Sequence, residues 1–74
     1  NPVTNISYDV PKISNINLVI IDINGRKIAT LVNEVKSPGN YNIFWNASKF
    51  SSGIYILLMK TDNFTQTQKM ILVK

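Results

Sequence analysis

Four carboxylates, Asp9, Asp22, Glu34 and Asp62, lie in a chain of 74 residues that contains no histidine and no cysteine. The commonest general base, a thiolate nucleophile and the usual transition-metal ligands are therefore missing. The four acids fall in separate segments, with neither the pairing of a glycosidase nor the spacing of a calcium loop. The serines have no base to activate them. Gly25, Gly39 and Gly53 are isolated turn glycines and do not make a phosphate-binding loop. Catalysis, a cofactor and a bound metal are not expected.

Binding chemistry has more material. Tyr41, Trp45 and Tyr55 have the ring types of a sugar platform, but they alternate with Ile43 and Leu57, which fits a core better. Phe44 falls on the opposite face, beside Asn42 and Asn46, and is a candidate exposed contact. Three Asn-x-Ser/Thr triplets, at Asn5, Asn46 and Asn63, read as coincidence in a chain with ten asparagines. The formal charge of +4 comes from cations scattered at loops and strand ends, without the stripe of a nucleic-acid binder. Solubility and protection of sheet edges account for them. No apolar run approaches the ~20 residues of a membrane-spanning helix.

The elements that must position these groups are strands. Thr4–Val10 alternates, with Ile6, Tyr8 and Val10 on one side, and Pro11 ends it. Asn15–Ile23 is apolar on both faces, so it belongs in the centre of a sheet. Asn24-Gly25 is a strong hairpin signal, since both residues tolerate positive φ, and the return strand runs through Arg26–Val32 with Ile28 inward. Asn33–Asn40 reads as a loop, and Tyr41, Ile43 and Trp45 define a fourth strand. Gly53–Thr61 and Thr65–Val73 close the chain around a turn at Asp62-Asn63.

Six or seven short strands with regular turn signals indicate one all-β domain, an immunoglobulin-like antiparallel sandwich. Its expected core includes Ile6, Tyr8, Leu18, Ile20, Ile28, Tyr41, Ile43, Trp45, Tyr55, Leu57, Met59, Met70 and Leu72. No internal repeat is visible. The closing hairpin is apolar on both faces, with Ile54, Ile56, Leu58, Ile71 and Val73 outward. Monomers rarely leave such a patch bare, so either a neighbouring segment covers it or a partner docks there.

Asn1-Pro2, Ile6-Ser7-Tyr8 and Leu18-x-Ile20-x-Asp22-x-x-Gly25-Arg26 form one block of recognisable residues. Pro38-Gly39-x-Tyr41-x-x-x-Trp45 forms a second, and Ser52-Gly53-Ile54-Tyr55 with the closing Lys69-Met70-Ile71-Leu72-Val73-Lys74 a third. The ordered set resembles the type A C-terminal sorting domain of the type IX (Por) secretion system over essentially all 74 residues. Two departures are Asn46, where relatives often carry Asp, and the apolar Leu58.

That resemblance implies a domain cut from the end of a longer exported protein. It implies passage of an N-terminal passenger through the periplasm of a Gram-negative bacterium and its outer-membrane translocon, to the cell surface or medium. A sortase-like surface protease would then remove the domain or exchange it for an anchor. The implied recognition residues are Gly53, Tyr55, Lys69, Met70, Ile71, Leu72, Val73 and Lys74. The alternative is an immunoglobulin-like structural or carbohydrate-binding accessory module of an extracellular enzyme.

Overall fold

Alternation becomes two stacked sheets. The computed structural model describes residues 3–73, which form β1 (Val3–Val10), β2 (Ser14–Asp22), β3 (Lys27–Lys36), β4 (Gly39–Asn46), β5 (Gly53–Lys60) and β6 (Thr65–Leu72). β1 pairs with β4 alone, and the second sheet runs β3-β2-β5-β6; every pairing is antiparallel. The expected six-stranded sandwich is therefore present. Ile6, Tyr8, Val10 and Trp45 of the smaller sheet meet Ile16, Leu18, Ile20 and Leu57 of the larger one in a single core. β2 lies inside its sheet, which explains its two apolar faces: inward Leu18 is 0 % exposed and outward Val19 only 2 %.

Two stretches differ from the reading of the sequence. Asn33–Asn40 is mostly strand, because β3 continues to Lys36 and β4 already begins at Gly39. Asn33 and Glu34 sit opposite Asn17 and Ile16 of β2, and that partner strand overrides their weak strand preference. Ile28 is half-buried at a register shift, with Ala29 opposite Ile20 and Lys27 opposite Ile21. Val32 takes the fully inward position instead. Tyr41, Ile43 and Met70 likewise only half-enter the core, and Val10, Ile16 and Ala47 join it. The last strand stops at Leu72, one residue short of the expected Val73.

β2 and β3 make the expected hairpin. Gly25 alone has positive φ, at 82°, and Asn24 does not. The Gly25 amide donates to the Asp22 carbonyl (3.0 Å), and the Asp22 amide donates to the Arg26 carbonyl (2.9 Å). This is a three-residue loop with glycine at its left-handed position. At the other hairpin, the Thr61 amide donates to the Phe64 carbonyl at 2.9 Å.

Candidate recognition surface

The chain enters β5 through Ser51-Ser52-Gly53-Ile54-Tyr55. Tyr55 points inward and donates its hydroxyl to the Ser51 carbonyl at 2.7 Å. Its ring meets Trp45 edge-on, with centroids 5.5 Å apart and planes at 70°. This is the tyrosine corner of immunoglobulin-like sandwiches: a buried ring whose polar tip ties down the preceding turn. Gly53 has φ of 157°, and a Cβ there would meet nothing within 4 Å. Its requirement is one of backbone conformation, not of space.

The same device opens β4, where the Tyr41 hydroxyl donates to the Ser37 carbonyl at 2.6 Å. Ser37-x-Gly39-x-Tyr41 thus repeats Ser51-x-Gly53-x-Tyr55, a local repeat that alternation alone does not reveal. The five-residue spacing itself was the available signal.

β6 is an edge strand whose neighbour among the described residues is β5. Its register divides the sequence-derived recognition residues. Lys69 stands outward opposite Ile56, and Ile71 outward opposite Ile54. Met70 is half-buried opposite Tyr55, and Leu72 is buried opposite Gly53. Val73 is exposed beyond the strand end, and Lys74 lies outside the described residues. The residues expected to be recognised are therefore part surface and part support. Lys69, Ile71 and Val73 offer side chains to solvent, and Gly53, Tyr55 and Leu72 hold the strand that carries them.

The outward face continues across the sheet. Ile56 lies opposite Ile21, and Ile21 opposite Lys27; Leu58 lies opposite Val19, and Lys60 opposite Asn17. Ile56 and Leu58 are half-buried between these neighbours, whereas Ile54 is 43 % exposed. Lys60 shares the parity of Ile54, Ile56 and Leu58, so its place on this face was available from β5 alone. Lys27 reaches the face only through the register shift.

Ionic pairing lies away from that face. Asp22 pairs with Arg26 at 3.2 Å and Glu34 with Lys36 at 2.7 Å. The Arg26 amide, helped by that of Asn24, holds the Asp22 carboxyl below the ordinary carboxylate value. The hydrogen bond to Glu34 raises Lys36, whose ammonium also lies 5.1 Å from the Tyr41 ring centre. Burial raises Tyr8, which stacks on Tyr41.

Phe44 is 68 % exposed on the outward side of the smaller sheet, opposite Asn5. Asn42 accepts a hydrogen bond from Ser7 (2.6 Å) and Asn46 from the Ser48 amide (3.0 Å), so both flanking amides are tied by their oxygens. A groove between β1 and β6 is bordered by Tyr8, Asp9, Gln66 and Gln68, because two strands do not cover all four of the larger sheet. It includes none of the recognition residues. A smaller cleft at the opposite end includes Gly53 and Tyr55 with Arg26 and Lys49. Among the described residues, no three His, Cys, Asp or Glu side chains gather as metal ligands, and no helix is long and apolar enough to cross a membrane.

A family model described as a secretion system C-terminal sorting domain matches residues 1–74. No curated protein and no solved structure matches the chain.

Proposed function

The chain belongs to the secretion system C-terminal sorting domain family, a type IX sorting signal linked to an N-terminal passenger, and from that premise we propose that it works without catalysis, by being recognised. The translocon reads the closing hairpin and passes the passenger from the periplasm across the outer membrane. A sortase-like surface protease then removes the domain or exchanges it for an anchor. One observation carries this reading: β6 is an edge strand that buries Leu72 and turns Lys69 and Ile71 to solvent. An edge strand can be read along its backbone and its outward side chains without unfolding the domain.

The test fuses residues 1–74 to a periplasmic reporter in a type IX-competent host. The fusion is expected outside the cell, and deletion of Met70–Lys74 is expected to leave it in the periplasm. Lys74→Ala separates recognition from unfolding, since it removes one charge and no apolar residue, a change expected to alter stability by only about 0.5 kcal/mol. Export that survives both changes would overturn the reading.

Phe44 favours a second reading, in which the domain is a carbohydrate-binding accessory module. Its exposed ring between two amides has the chemistry to stack on a pyranose. Glycan binding lost on Phe44→Ala, with export absent, would establish that reading over the first.

A further inference from the structure

We propose that the outward face of the four-stranded sheet, where Ile54, Ile56 and Leu58 are bordered by Lys27, Lys60 and Lys69, docks a protein surface that is apolar and edged with carboxylates. The proposal rests on the sorting reading and names the chemistry of the partner. Direct cross-strand opposition puts these groups on one side: Lys27 beside Ile21, Ile21 beside Ile56, and Ile56 beside Lys69. Lys60 follows Leu58 at the next outward position of β5.

Charge decides the partner. The ion pairs among the described residues are Arg26–Asp22 and Lys36–Glu34, and neither includes a lysine of this face. Asp62 spends a carboxylate oxygen on the Asn15 amide at 3.1 Å, and Asp9 lies on the other sheet opposite Asn40. All four acids of the chain are thus accounted for without one in the outward rows of β5 and β6. Three lysines beside an apolar floor attract carboxylates and repel other cationic surfaces. The floor contributes area, because contiguous exposed apolar surface marks interaction sites.

Two other occupants fit less well. A second copy placed face to face by a two-fold axis would oppose lysines to lysines. A lipid surface is usually entered by protruding aromatic and aliphatic groups. Here Ile54 and Ile71 are exposed aliphatics, but Ile56 and Leu58 between the lysines are half-buried, and neither β5 nor β6 has an aromatic residue on its outward side.

The experiment compares two double charge reversals in the 1–74 reporter fusion. Lys60→Glu with Lys69→Glu alters the face; Lys12→Glu with Lys49→Glu makes the same charge change in loops outside it. Circular dichroism melts confirm that each variant is folded. The face variant is expected to lose about tenfold or more of its export, because like charges now meet across the contact. The loop variant is expected to keep it. Equal export from both variants would overturn the docking proposal and leave the sorting reading intact. No export of the unaltered fusion would overturn the sorting reading and the proposal with it. Flotation of the unaltered domain with phosphatidylglycerol vesicles, or a dimer in sedimentation that the face variant abolishes, would assign the face to lipid or to a second copy and overturn the proposal.

Discussion

Leu72 and Ile71 adjoin in sequence but differ in environment: Leu72 is 5 % exposed and Ile71 is 68 % exposed. Leu72→Ala should cost about 2–4 kcal/mol through lost transfer energy and a cavity. Ile71→Ser should stay within about 0.5 kcal/mol, as surface changes usually do. Urea titration measures both. If recognition uses the outward side of β6, Ile71→Ser lowers export of a reporter fusion while the fold holds. Full export by that variant would remove Ile71 from the contact.

Tyr55 and Tyr41 hold two of the three sandwich crossings, β4 to β5 and β3 to β4, by equivalent bonds to Ser51 and Ser37. Replacing either with Phe keeps the ring and removes the hydroxyl, so each should cost about 1 kcal/mol. For a domain of this size that lowers the melting temperature by roughly 4–8 °C. Unchanged melting in both variants would show that the hydroxyls only replace water.

Gly53→Ala tests whether the turn into β5 needs glycine for its backbone. The φ of 157° and the empty space around a Cβ predict a loss of about 1–3 kcal/mol from conformational strain alone. Equal stability in denaturant would show that an L-residue takes this geometry at no cost.

Asp22 provides a pH test. Its folded pKa is lowered, chiefly by the Arg26 amide, so the unfolded chain takes up the proton first as pH falls. Its stabilising effect is present above the ordinary carboxylate value and is lost as pH falls through the lowered folded value. Asp22→Asn keeps an acceptor for the turn but removes the charge. The difference in urea midpoint between wild type and variant should be present at neutral pH and vanish in acid. A gap independent of pH would mean that the charge plays no part.

Much of the fold is legible in residue order, because strand side chains alternate and a sandwich needs one apolar side per strand. The double apolar run of β2 places it inside a sheet. The parity of Met70 and Leu72 against Ile71 sorts β6 into inward and outward residues. Less legible was Asn33–Lys36, whose polar residues become strand only because β2 pairs with them. The exposed position of Phe44 followed from parity, whereas the half-burial of Ile28 did not, since a register shift breaks parity there.

By itself the sequence determined the chemistry available here: a chain without histidine or cysteine, rich in alternating apolar residues, whose motifs belong to sorting domains. Tertiary structure decided how those residues are shared between support and surface. It turned Tyr55 into an internal brace, left Lys69 and Ile71 on an open edge strand, and brought Lys27 onto the face that carries Ile56. The physical reason is that alternation fixes sides within a strand, whereas neighbours across strands depend on register and bulges. Those are settled only when distant segments pair.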